Sequence, residues 1–326
     1  MGERFPNADG RIDNGERIVP SIVGIGATGI STVNALISSG MPYADFLAID
    51  TVPQPLEKVL TPAKSIYITP EDSANAIREA VQASFASVFK QGFSEGWLVI
   101  IASLDDATGT AFAPVVAKVA KELGAFVFSI VTIPLPGELM PGVSAENCLN
   151  ALRCHVDLLL PFSIDHLRTA ADPALQFHAQ VETLLSYAVK GFVEFLAYTN
   201  YICIDFADLK TAFYKTSVVG MGVGTACGES RALAATKKAL ADPMLAGLLP
   251  YADSIFVNIT GWNIYGNEIN EISVILETVA AACCDETNIA FVDCNLEAMG
   301  EKLRVTIFAG SDAEPANRGK FWELYT

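Results

Sequence analysis

Residues 97–124 read WLVIIASLDDATGTAFAPVVAKVAKELG, and no other stretch restricts the fold as strongly. An apolar run from Trp97 to Ala102 has the length and composition of a strand buried on both faces. A turn of small residues follows, Thr108-Gly109-Thr110, and then an amphipathic helix is expected over 112–123. Strand, small turn and helix start form a seat for an anion, because the first N–H groups of a helix have no partner within it. Asp105 and Asp106 stand in that turn, where an anion would favour bare backbone.

The same alternation recurs along the first half. Strands are predicted at 18–23, 45–49, 97–102, 126–132 and 158–162, with Pro20 suggesting an edge or bulge position for the first. Helices are predicted through Ser39 and at 73–90, 112–123 and 144–155. Such alternation implies a Rossmann-like parallel sheet covered by helices on both faces. A long apolar-periodic helix, about 175–199, interrupts it. Beyond lie strand SIFVNITG, helix 268–282 and strands at 288–292 and 303–308, which read as a smaller α/β domain. The expected organisation is a polar arm (1–17), a nucleotide-binding-type domain (18–174), a central helix (175–200) and a C-terminal domain (201–326).

Charge narrows the function. Lys and Arg total 21 against 37 Asp and Glu, a net charge of −16. This argues against nucleic acid or an anionic membrane as a direct partner. The apolar runs are strand-sized, well under the ~20 residues of a membrane span. The N-terminus lacks an apolar signal core, and seven cysteines without a C-x-x-C fit reduced thiols, so a cytoplasmic location is expected. Cys148, Cys154 and His155 read as residues of an amphipathic helix rather than a metal site.

Gly24-Ile25-Gly26-Ala27-Thr28-Gly29 is a G-x-G-x-x-G between a strand and a helix, and Asp50 ends the next strand. The pattern suits a phosphate-binding turn, and equally a tight strand-to-helix junction that needs glycine. An NAD-dependent oxidoreductase is a remote third reading, since His155, His166 and His178 occupy no catalytic setting.

Four further segments carry a resemblance: ATGTAFAPVVAKVAKELG (107–124), CHVDLLLPFSIDHL (154–167), DFADLKT (205–211) and GTACGESRALAATKKAL (224–240). With FVNITG (256–261) and LRVTIFAG (303–310), their order resembles FtsZ, the bacterial relative of tubulin, over roughly residues 18 to 310. The resemblance implies a GTP-binding domain, a central helix and a C-terminal domain, with subunits stacked head to tail. It implies GTP or GDP as ligand, with Mg²⁺ only alongside nucleotide. Gly24, Gly26, Gly29, Thr108, Gly109, Thr110 and Glu138 fall on its nucleotide-contacting positions. Asp205 and Asp208 fall on the acidic loop that polarises water at the next subunit's γ-phosphate.

Several positions depart from the family pattern. Ile30 stands where the first helix should face phosphate, and Ser31 replaces Asn. The second loop reads Asp50-Thr51-Val52, and the loop before helix 73–90 is shortened to Tyr67–Asp72. Asp105 and Asp106 replace glycines, no Arg follows Glu138 before Arg153, and Ile164 takes the guanine-recognising position. One carboxylate about 5 Å from a phosphate oxygen costs roughly 3 kcal/mol at an effective dielectric of 20. The acid pair reads in three ways: Mg²⁺ ligands, helix caps, or marks of a lost phosphate loop. The leading expectation is an FtsZ-like scaffold, assembling with itself or with a true FtsZ, whose GTP binding and hydrolysis are weakened or lost. The alternative is a divergent but active GTPase that forms GTP-dependent filaments. With no room after the core for a linker and adaptor-binding tail, direct replacement of a division FtsZ is not expected.

Overall fold

A computed structural model describes residues 19–41, 44–68, 78–83, 96–134, 145–164, 177–197, 213, 218–264 and 271–311. The chain divides into two compact units, one holding Val19–Ser186 and the other starting at Tyr187.

In the first unit, six strands form a parallel sheet: β1 (Ser21–Ile25), β2 (Asp45–Asp50), β3 (Lys64–Tyr67), β4 (Trp97–Ser103), β5 (Phe126–Ile133) and β6 (Leu158–Ser163). Their order is β3-β2-β1-β4-β5-β6. Every residue of β1, β4, β5 and β6 is buried, which is why these strands are continuous apolar runs. Helices α1 (Gly26–Ser38), α2 (Pro53–Glu57), α3 (Ala107–Glu122) and α4 (Ala145–Arg153) connect or cover them. The chain runs outward in opposite directions from the β1–β4 pair, which makes the carboxyl ends of these strands the switch point of the sheet, the place where open α/β sheets bind ligands. Register sharpens the point: Ile25 of β1 lies beside Ile49 of β2 and Ala102 of β4. Gly26, Asp50 and the turn after Ser103 therefore leave the sheet at one edge.

Helix α5 (Phe177–Ala197) contains the boundary between the units. In the second unit, β7 (Val218–Cys227), β8 (Ser254–Gly261), β9 (Asn288–Asn295) and β10 (Lys302–Ser311) are ordered β7-β10-β8-β9. β10 runs antiparallel to both neighbours, and β9 is parallel to β8. Phe192 of α5 meets Phe256 and Phe308 edge-on at 6.2 and 5.7 Å between ring centroids. Helix α6 (Arg231–Leu240) lies so close to β7 that a Cβ on Gly224 would strike the carbonyl of Ala235. Helices α7 (Pro243–Ala246) and α8 (Glu271–Ala280) belong to the same unit.

Among the described residues, two ion pairs are buried in this unit. Glu194 of α5 pairs with Arg304 of β10, whose guanidinium also lies over the Tyr187 ring at 5.4 Å. Arg231, at the first position of α6, makes a two-pronged contact with Glu271 at 2.7 and 2.8 Å.

The expected α/β architecture is present, with three local differences. β1 begins after Pro20 and lies inside the sheet between β2 and β4, so the proline ends the approach to the strand rather than marking an edge. Helix α3 begins at Ala107, not at 112, so Thr108-Gly109-Thr110 is its first turn. Ile30 shares the buried side of α1 with Val33 and Leu36; it is a core residue and crowds no phosphate. Of the cysteines, Cys148 is buried, which pushes its thiol up to about 12, whereas Cys154, Cys227 and Cys284 are exposed.

Candidate functional site

Three strand ends build the candidate site. From β1 the chain turns directly into α1 at Gly26, whose φ of +72° is a conformation that favours glycine. Gly24 and Gly29 serve packing. A Cβ on Gly24 would strike the backbone of Gly29, and one on Gly29 would strike the Ile101 carbonyl of β4. Their absence of side chains lets α1 lie flat on β1 and β4.

From β2 come Asp50 and Thr51. Asp50 is 2% exposed and accepts from the Val52 N–H at 3.0 Å and the Thr108 hydroxyl at 3.3 Å. The Thr51 and Thr108 hydroxyls are 2.7 Å apart. With the Thr108 proton directed to Asp50, Thr51 is the donor of that pair. These bonds tie the end of β2 to the first turn of α3.

From β4 comes the acid pair. Asp106 is the N-cap of α3: its backbone is extended, and its carboxylate accepts from the Gly109 N–H. The Thr108 N–H also lowers its pKa as a donor. A Cβ on Gly26 would collide with the same carboxylate. The acid thus sits between the start of α3 and the start of α1. Burial outweighs these donors and, with repulsion from Asp105 and Asp50, raises the Asp106 carboxyl to about 6. Asp105 points outward and is exposed. The Thr110 hydroxyl turns back onto the Asp106 carbonyl at 2.8 Å.

A raised carboxyl binds its proton more tightly in the folded state than in the unfolded one. Asp106 therefore supports folding fully below about 3.8 and opposes it as the pH climbs through about 6. Asp106→Asn keeps an acceptor for Gly109 and removes the charge. At pH 8 it is expected to be about 2 kcal/mol more stable than the parent, the linkage value reduced for the part of the side chain that stays wet. The gap should close towards pH 4. Urea unfolding across pH 4–8 measures it; an equal gap at both ends would contradict the assignment.

Gly26, Thr108 and Gly109 are thus brought together, with Gly24 and Gly29 beneath them and Thr110 one step along α3. Glu138, Asp205 and Asp208 lie outside the described residues, as does Tyr67–Asp72 beyond Ile68. Ile164 is buried at the end of β6. Of the three readings of the acid pair, Asp106 realises the cap. Among the described residues, no group of three or more His, Cys, Asp or Glu could hold a metal ion. The Thr51–Thr108–Asp50 chain was not anticipated from sequence; its signal is that Asp50 and Thr51 end the strand next to the glycine turn.

An anion arriving at this edge would meet donors of α3 that are already engaged. The Gly109 and Thr108 N–H groups at the start of α3 already serve Asp106, whose carboxylate also lies against Gly26.

A family model described as Tubulin/FtsZ family, GTPase domain, matches residues 21–172, and one described as FtsZ family, C-terminal domain, matches 217–311. Among solved structures, an empty FtsZ dimer of M. jannaschii is similar at a TM-score of 0.77 and 23% identity, over 90% of this chain and 88% of that one. CetZ2 from Haloferax volcanii, solved as a GTPγS-bound protofilament, gives 0.68 and 16%, over 94% and 98%. CetZ from Methanosaeta thermophila gives 0.66 and 17%, over 94% and 90%. At these identities the structural likeness speaks for the fold.

Proposed function

This chain belongs to the tubulin/FtsZ superfamily, and from that premise we propose that it is a cytoskeletal scaffold subunit whose own GTP binding and hydrolysis are weakened or lost. It assembles head to tail, with itself or with a nucleotide-loaded FtsZ. The observation that carries the reading is the Asp106 carboxylate on the Gly109 N–H, at the helix start where the fold implies a phosphate. Asp205 and Asp208, in the DFADLKT block, are the residues through which it would act on nucleotide held by a neighbour. Among the described residues no helix is long and apolar enough to cross a membrane, and a cytoplasmic place of work belongs to the same proposal.

Co-sedimentation tests it. The protein alone, and mixed with an FtsZ and GTP, is spun at filament-pelleting speed while phosphate release is followed. Pelleting of the chain, or a changed turnover of the FtsZ, is expected. In the mixture, Asp208→Ala should reduce any effect on turnover and leave pelleting intact. Absence of the chain from every pellet, with unchanged turnover, would sink the proposal. Phosphate release by the chain alone, stimulated by Mg²⁺, would instead favour a divergent active GTPase.

A further inference from the structure

An ordinary capping aspartate sits at the wet end of one helix. Asp106 is held differently. Its carboxylate accepts from the Gly109 and Thr108 N–H groups of α3 and lies against Gly26, the first residue of α1. No side chain caps α1 among the described residues, and its N-cap position is Ile25. Both helices run longer than two turns, and each presents the positive end of its dipole to the same spot. One carboxylate therefore accepts from the start of α3 and fills the space against the start of α1, where β1 and β4 lie side by side.

We infer that Asp106 is a built-in substitute for a bound phosphate, an autoinhibitory contact that holds the two glycine turns in their anion-bound arrangement and shuts the seat to outside anions. The inference rests on the preceding reading of this edge and adds a cause: loss of nucleotide binding follows from one resident side chain rather than from decay of the whole pocket.

The surroundings agree. The titratable groups facing Asp106 are Asp105, on its own turn, and Asp50, from β2, and both repel it. A carboxylate kept charged among two others, part-buried, opposes folding at neutral pH. The N–H donors of α3 are what hold it in place. Any entering phosphate would have to displace Asp106 from Gly109 and then face three acids in place of two bare glycine positions. Thr108 is already bound by Asp50 and Thr51, so the first turn of α3 is fixed without a ligand.

Inorganic pyrophosphate is the probe, and the full chain is titrated by calorimetry at pH 8 as parent, Asp106→Asn and Asp106→Gly. The Asn variant keeps the capping acceptor and so guards against misfolding of the Gly variant. Pyrophosphate is expected to show no binding to the parent at millimolar concentration. It should bind Asp106→Asn at least tenfold more tightly than the parent, and Asp106→Gly more tightly again. Parent affinity within threefold of both variants, or no binding by either folded variant, would overturn the inference. Pelleting separates the two proposals. Variants that gain pyrophosphate while no form of the chain pellets leave the contact standing and remove the scaffold. Pelleting without any gain in binding removes the contact alone.

Discussion

Glu271→Gln is expected to destabilise the second unit by about 3–5 kcal/mol, the cost of stranding one member of a buried ion pair. Arg231 and Glu271 have side chains only 8% and 5% exposed. The guanidinium is also fixed by the Glu301 carbonyl at 3.1 Å and the Trp262 carbonyl at 3.0 Å. One arginine thereby joins the start of α6, the start of α8, the end of β8 and the turn before β10. Glutamine keeps the shape but removes the carboxylate in contact with the guanidinium, leaving only the charge of Glu301 to act on it from further off. Replacing both partners together, Arg231→Met with Glu271→Leu, removes the charge problem and should recover part of the loss. Urea unfolding followed by far-UV circular dichroism reads both. An Asn- or Gln-tolerant site, with Glu271→Gln unfolding at the parent midpoint, would show that the pair carries no such weight.

That arginine also explains why the C-terminal half was recognisable. The block GTACGESRALAATKKAL contains Gly224, which admits α6 against β7, and Arg231, which anchors it. Steric and electrostatic demands of this kind leave a readable pattern. The parallel strands were equally legible, because burial on both faces turns each into a continuous apolar run. The order β7-β10-β8-β9 was not, since pairing between distant antiparallel strands leaves no local signature. The site was half legible. Thr108-Gly109-Thr110 looked like a loop because Thr and Gly are weak helix formers; the Asp106 cap and the fit of Gly109 against the Ser103 carbonyl override that preference. Asp105 and Asp106 looked alike as letters. Only the structure turns one outward and the other onto Gly109. Ile30 looked like an intruder at a phosphate, and its direction into the core lies outside what composition can report.

The glycine run of the first turn yields the second large effect. Gly29→Ala is expected to cost about 3 kcal/mol, the upper end for overpacking, because its new Cβ meets the Ile101 carbonyl and the Gly24 backbone, neither of which can rotate away. Gly24→Ala should cost about as much for the same reason, since the Gly29 backbone is in its path. Gly26→Ala differs in kind. It pays about 1–2 kcal/mol for alanine at positive φ, and its Cβ meets the Asp106 carboxylate, a side chain that can move. In an Asp106→Gly background the clash disappears, and the remaining cost of Gly26→Ala should fall to the backbone share alone. Denaturant midpoints of the four proteins close this cycle. A coupling near zero would mean that Gly26 and Asp106 do not touch in solution. A Gly29→Ala protein as stable as the parent would show that close packing on β4 is not what requires glycine at this position. With the expected values, a pattern that looks like a dinucleotide fingerprint divides into two residues that pack a helix on a sheet and one that makes room for an acid.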